Sequence, residues 1–225
     1  MVKKTRNTPS PIIRKIVAYT NPRSLVSEQY RTLRTNIKFS SPDKEISSIL
    51  VTSSMHSEGK STTAANLAIV FAQEGKQVLI IDADMRKPTM HFTFSLKNNI
   101  GLSSILIRQN ILKEAVKTTH VENLDLITCG PIPPNPAELL GSKSMNLLMV
   151  QLKELYDIII IDAPPILAVA DSQILANICE GAVLVINSGE TEKGKAMKAK
   201  EVLASSNSRL IGAVVNNYKM PKEKN

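Results

Sequence analysis

A chain of 225 residues with 43% apolar content is long enough to bury a substantial core. Its 28 Lys and Arg against 20 Asp and Glu give a formal charge of +8, an excess that gathers at the two ends and by itself selects no partner. Two cysteines exclude a disulfide-stapled scaffold, and the longest apolar stretch, Ile158 to Ala170, is broken by Asp162, Pro164 and Pro165, far short of the roughly 20 apolar residues of a membrane span.

In chain order, residues 1–23 read as a basic arm, with Lys3, Lys4, Arg6, Arg14, Lys15 and Arg23. The part from Val2 to Pro22 is broken by Pro9, Pro11 and Pro22 and is expected to be mobile. It lacks the apolar core of a secretion signal, so a reducing, cytoplasmic setting is expected. Residues 24–217 read as one domain and residues 218–225 as a short tail carrying Lys219, Lys222 and Lys224. Ser24 to Phe39 has the spacing of an amphipathic helix, with Leu25, Val26, Leu33 and Ile37 apolar. Ser48 to Ser53 is a buried strand, and Ser61 to Glu74 an Ala-rich helix stopped by Gly75. Val78 to Asp82 is the next strand. Leu102 to Ile107 and Ile111 to Lys117 read as helices, Leu124 to Thr128 as a strand and residues 130–136 as a proline-rich loop. Ser144 to Tyr156 is a helix and Asp157 to Asp162 an isoleucine-rich strand. Ala182 to Asn187 and Leu210 to Asn216 are strands flanking a helix from Lys193 to about Ser206. Apolar strands alternating with helices give an α/β fold, a parallel sheet with helices on both faces and ligands at the strands' C-terminal ends.

Three of those ends carry polar chemistry. After the first strand comes SSMHSEGKST, residues 53–62, the P-loop pattern with Ser54 where its first glycine belongs. Ser57, Glu58, Gly59, Lys60, Ser61 and Thr62 would cradle phosphates at the following helix N-terminus. Lys60 would reach the β- and γ-phosphates, and the Ser61 hydroxyl would ligate Mg²⁺. Asp82 and Asp162 each end a buried strand and would hold that magnesium ion directly or through water. Asp84 could serve as general base for an incoming hydroxyl, while Arg86 could neutralise phosphate charge or brace the loop. Cys129 and Cys179 lie outside any clustered spacing and read as buried thiols.

At these residues the sequence resembles the bacterial tyrosine kinases of capsule and exopolysaccharide synthesis, particularly the stand-alone Gram-positive type, over roughly Ser24 to Asn217. In that family GKST is Walker A, IIDADMRKP (residues 80–88) a second Walker motif and IIIDAPP (residues 159–165) Walker B. The fold implied is that of the P-loop NTPases, in the deviant Walker group with the ParA and MinD ATPases. The resemblance implies ATP and Mg²⁺ as cofactors, with Lys60, Asp82, Asp84 and Asp162 catalytic and Arg86 and Asn216 among the nucleotide contacts. Glu28, Arg31 and Arg34 match a helix motif that assembles subunits into a ring. Activation by the cytoplasmic tail of a membrane adaptor of the polysaccharide co-polymerase type is implied too. So are recruitment to the inner face of the plasma membrane, protein substrates, a protein-tyrosine phosphatase as partner, and no nucleic acid.

The chain departs from the family pattern at His56 and Ser57, where Pro-Gly is usual, and in its tail. Tyr218 is the one tyrosine beyond Tyr156 and so the candidate phosphoacceptor. Two other readings remain: a ParA- or MinD-type switch ATPase, or a nucleotide-binding scaffold without transfer. The former class places a second lysine near the start of the loop, where this chain has Met55.

Overall fold

The computed structural model describes residues 16–41 and 45–218. Elements run α1 (Val17–Thr20), α2 (Leu25–Phe39), β1 (Ser48–Ser53), α3 (Lys60–Ala72), β2 (Val78–Asp82), α4 (Met90–Thr93), α5 (Leu102–Leu106) and α6 (Leu112–Ala115). They continue with β3 (Val116–Thr118), β4 (Leu124–Ile127), α7 (Pro136–Leu140), α8 (Lys143–Leu155) and β5 (Ile158–Asp162). Last come α9 (Asp171–Ala176), β6 (Gly181–Asn187), α10 (Lys193–Ala204) and β7 (Arg209–Asn216).

The strands form one sheet of seven in the order β3-β4-β2-β5-β1-β6-β7. All neighbours pair in parallel except β3 with β4. Because successive strand side chains point to opposite faces, each apolar run feeds two cores. Ile158 and Ile160 enter the core beneath α3 and α2, whereas Ile159 and Ile161 enter the one on the opposite face, shared with Leu148, Leu152 and Leu203. Leu79 and Ile81 separate from Val78 and Ile80 in the same way. A strand buried on both faces therefore needs an unbroken apolar run, as β5 has.

Helix α3 lies against the centre of the sheet and is buried on nearly every side. Its alanines permit close approach, and Gly75 at φ +88° reverses the chain after it. Ser24 caps α2 by accepting the Ser27 N–H, and Ser142 caps α8 by accepting that of Met145.

Four local readings are corrected. The helix expected over Ile111 to Lys117 stops at Ala115, and Val116 to Thr118 become an antiparallel edge strand against Asp125 to Ile127. The sheet is thus parallel except at that edge. Short helices α4, α7 and α9 stand where no element was expected. Finally, the arm expected to be mobile from Val2 to Pro22 is folded at its end: Ile16 and Ala18 are buried in the core beneath α3. Residues 1–15 and the tail lysines from residue 219 onward lie outside the described residues.

Two side chains of α3 and its C-cap fasten α1. The Ala18 N–H donates to Asn66 Oδ1 at 2.8 Å, and Gln73 Nε2 donates to the Ala18 carbonyl at 2.9 Å. Asn66→Ala leaves the buried Ala18 N–H unpaired and is expected to lower stability by about 1–3 kcal/mol in urea unfolding. A loss below about 0.5 kcal/mol would mean that this contact does not hold α1.

Candidate active site

The site begins with register. β2 and β5 pair so that Asp82 lies directly opposite Asp162, both fully buried at the C-terminal edge of the sheet. β1 runs on the other side of β5 and delivers the phosphate loop to the same edge. Lys60, the first residue of α3, then extends its ammonium among the carboxylates, 2.8 Å from Asp84 Oδ2 and 3.3 Å from Asp162 Oδ1. It also donates to Ser61 Oγ at 3.1 Å.

Two carboxylates thus pair with one ammonium in a desolvated space, with the charge of a third, Asp82, nearby. Burial alone would lower the Lys60 pKa, but Asp162 and Asp84 outweigh it and hold the ammonium charged. Asp84 is pushed up by burial, yet the charge and hydrogen bond of Lys60, with backbone N–H groups of Lys87 and Arg86, bring it below the usual range. Asp82 goes the other way: burial first, then the facing charge of Asp162, raises it from 3.8 to about 7. Two backbone N–H groups oppose that rise, since Asp82 Oδ2 accepts from Thr89 and Met90 at 2.9 Å each, where α4 begins. Its other oxygen has no hydrogen-bond partner among the described residues.

That orphaned oxygen, the buried Ser61 hydroxyl and Asp162 form a hard-oxygen donor set of the kind magnesium takes. No cluster of three or more His, Cys, Asp or Glu suited to holding a metal occurs among the described residues. A cation here would complete its shell with phosphate oxygens and water, the habit of nucleotide-bound magnesium.

The phosphate loop keeps its shape in spite of its two missing glycines. Gly59 sits at φ +93°, and a Cβ there would come within 1.9 Å of Asn216 Nδ2, so glycine is required on both counts. Ser57 retains a glycine-like φ of 65°. The backbone is therefore held in a left-handed conformation that costs a non-glycine residue about 1–2 kcal/mol. Ser54 is fully buried and donates to the Glu58 carboxylate at 2.7 Å, a tie that a glycine could not make. Asn216 Nδ2 donates to the Glu58 carbonyl at 3.1 Å.

Of the residues singled out by sequence, Ser57 to Ser61, Asp82, Asp84, Asp162 and Asn216 gather here, with Thr62 in the first turn of α3. The Arg86 guanidinium makes a two-pronged ion pair with the fully buried Asp171, at 3.0 Å on each prong. The Glu58 carboxylate turns into the loop, leaving only its backbone toward any phosphate. Asp171, Thr191 and the Thr89–Met90 amides escaped the sequence reading, because their partners are remote in the chain and no spacing announces them.

Glu28, Arg31 and Arg34, the residues matched to the ring motif, make contacts within the chain. Arg31 pairs with Glu28 within the helix at 2.5 Å and also donates to the Pro22 carbonyl. Arg34 turns inward to the Val70 carbonyl in the last turn of α3, with its side chain only 16% exposed. Tyr218 is exposed just beyond β7, beside a groove of about 660 Å³ lined by Tyr30, Leu33, Val214 and Val215. Cys129 and Cys179 are buried free thiols with pKa values pushed to about 12, chiefly by burial.

Comparison with known proteins follows the same lines. A family model described as an AAA domain matches residues 48–194. The tyrosine-protein kinase YwqD of Bacillus subtilis (strain 168) is 55% identical over 217 residues, covering 96% of this chain and 92% of that protein. The tyrosine-protein kinase CpsD of Streptococcus agalactiae serotype III (strain NEM316) is 38% identical over 190 residues, 84% of this chain and 81% of that one. Among solved structures, the chimerical protein CapA2B2 superposes with a TM-score of 0.88 at 41% identity, over 90% of this chain and 89% of that one.

The raised pKa of Asp82 has a sign that can be measured. The folded protein binds a proton that the unfolded chain, with an ordinary carboxylate, releases, so this contribution is fully present below pH ~4 and lost as pH rises through about 7. Asp82→Asn cannot ionise and can still accept from Thr89 and Met90. In metal- and nucleotide-free protein it is expected to melt above wild type at pH 8, the gap closing toward pH 4–5. A gap independent of pH would overturn the assignment.

Proposed function

Since this chain belongs to the family of bacterial tyrosine-protein kinases, and to the wider AAA-domain family, we propose that it transfers the γ-phosphoryl group of ATP to tyrosine at the edge shared by β1, β2 and β5. The observation that carries this reading is Lys60, buried at the start of α3 and shared by Asp84 and Asp162.

Phosphoryl transfer asks the protein for position and for charge, and little else. The loop from Ser57 to Thr62 supplies backbone N–H groups at a helix N-terminus, where the partial positive charge favours phosphates. Lys60 exchanges Asp84 and Asp162 for the β- and γ-phosphates. Ser61, Asp82 and Asp162 would hold magnesium, which when bound neutralises charge on the phosphates. Asp84 gains basicity as Lys60 leaves it, because the ammonium is what holds its pKa down. It is then suited to accept the proton of a tyrosine hydroxyl. Asn216 closes the loop from the β7 side, and Arg86 acts through Asp171 rather than on the nucleotide.

The substrate tyrosine is that of another protein or Tyr218 of a neighbouring copy, whose exposed ring leaves it open to either arrangement. We read the physiological role as regulation of capsular or exopolysaccharide synthesis. Activation comes from the tail of a membrane adaptor that recruits the kinase to the inner face of the membrane, and reversal from a protein-tyrosine phosphatase. No helix among the described residues is long and apolar enough to cross a membrane. Ring assembly would use Glu28 and Arg31. Arg34 would enter only by leaving Val70.

The test is incubation of the purified protein with MgATP, with and without adaptor-tail peptides, followed by mapping of phosphotyrosine by mass spectrometry. Phosphotyrosine is expected on this chain or on an added protein, and Lys60→Met is expected to lower it at least about a hundredfold. ATP turnover with no phosphotyrosine under any condition would instead indicate a switch ATPase, and nucleotide binding without turnover a scaffold.

A further inference from the structure

A carboxylate inside an anion-binding loop is electrostatically adverse unless donors absorb its charge. Glu58 is such a carboxylate, 5% exposed and immediately before Gly59 and Lys60. Ser54 Oγ donates to both of its oxygens at 2.7 and 2.9 Å, and the Met55 N–H donates at 2.9 Å. Those two donors belong to the loop itself. The remaining donor is remote: the hydroxyl of Thr191, in the turn between β6 and α10.

Thr191 is itself fixed on both sides. Its Oγ accepts the Asn187 N–H at 2.8 Å while its own N–H donates to the Asn187 carbonyl at 3.0 Å. Asn187, at the end of β6, accepts in turn from Asn217 Nδ2 at 2.9 Å, just past β7. A continuous path of hydrogen bonds thus runs from the edge of the sheet to the one acidic side chain of the phosphate loop.

We propose that Thr191 is a positioning residue for nucleotide binding, acting through the Glu58 carboxylate to hold the phosphate loop in its anion-binding shape. Residues 54 and 57 lack the glycines usual for a loop of this kind, and Ser57 adopts a positive φ that a serine does not prefer. With the Thr191 hydroxyl gone, the Glu58 carboxylate loses the one donor it has from outside the loop among the described residues and keeps more of its charge exposed to incoming phosphates. The loop then presents its N–H groups less rigidly, to a ligand that the carboxylate repels more. Affinity falls, whereas the carboxylates and Lys60 that act during transfer stay in place.

This inference rests on nucleotide binding at the loop, and the experiment separates the two. Binding of a fluorescent ADP analogue with Mg²⁺ is measured for wild type, Thr191→Val and Thr191→Ser, alone and in a Glu58→Ala background, with thermal melting and steady-state kinetics alongside. Thr191→Val is expected to weaken binding by about three- to tenfold, the worth of one hydrogen bond to a charged partner. It raises KM for ATP similarly and leaves kcat within about twofold, as loss of uniform binding does. Thr191→Ser is expected to restore wild-type affinity, and Thr191→Val to add nothing once Glu58 is Ala. Wild-type affinity in Thr191→Val, a Ser variant as weak as Val, or a full additional loss in the Glu58→Ala background overturns the proposal and leaves the nucleotide site standing. Absence of binding in wild type overturns both.

Discussion

The structure is organised around one adverse arrangement: two fully buried aspartates, Asp82 and Asp162, placed opposite each other by the register of β2 and β5. Desolvation and mutual repulsion both work against them, which is why Asp82 is pushed to about 7. The two carboxylates sit together because β2 and β5 pair in a register that puts Asp82 beside Asp162, between strands buried on both faces. A site with this surplus of negative charge is poised for a cation, and the Asp82 oxygen that has no hydrogen-bond partner among the described residues marks where that charge is unmet.

Lys60 is the counterweight, and its placement follows from α3 rather than from its own flexibility. The helix is packed on nearly every side, so its first residue has a fixed origin and its side chain a short menu of destinations. That destination is Asp84 and Asp162. The same ammonium that keeps the carboxylates compatible with folding is the group the phosphates would claim. Binding and local electrostatic balance are consequently linked through a single nitrogen.

Much of this was legible in the sequence because it is periodic or local. The strands announce themselves by apolar runs, the long helices by their spacing and caps, and the phosphate loop by a strand before and a helix after GKST. The two Walker aspartates follow from their position at strand ends. What stayed hidden is governed by partners far along the chain. Val116 to Thr118 continue the composition of a helix but become a strand because the edge of β4 is open to them. Ile16 and Ala18 look like part of a basic arm, yet Asn66 and Gln73 lie ready to fasten them. Arg34 has the spacing of a surface triplet, but the C-terminal carbonyls of α3 draw it inward. Nothing in the order of residues tells that Arg86 meets Asp171 or that Glu58 meets Thr191.

The serines of the phosphate loop are where local and distant causes meet. A glycine at position 54 or 57 would supply backbone freedom and leave the loop to be ordered by its ligand. Serine at 57 keeps the required left-handed backbone at a conformational cost, and serine at 54 spends its hydroxyl on Glu58. Freedom is exchanged for tethering, and the tether extends through Glu58 to the Asn216 side chain and the turn before α10. A loop ordered in this way pays less conformational entropy when phosphates arrive, at the expense of depending on β6 and the edge strand β7 for its shape. The edge strand lies beside the groove that Tyr218 borders, so what touches that edge also touches the frame of the phosphate loop. In a fold whose chemistry sits at strand ends, the last strand to join the sheet is thereby part of the site.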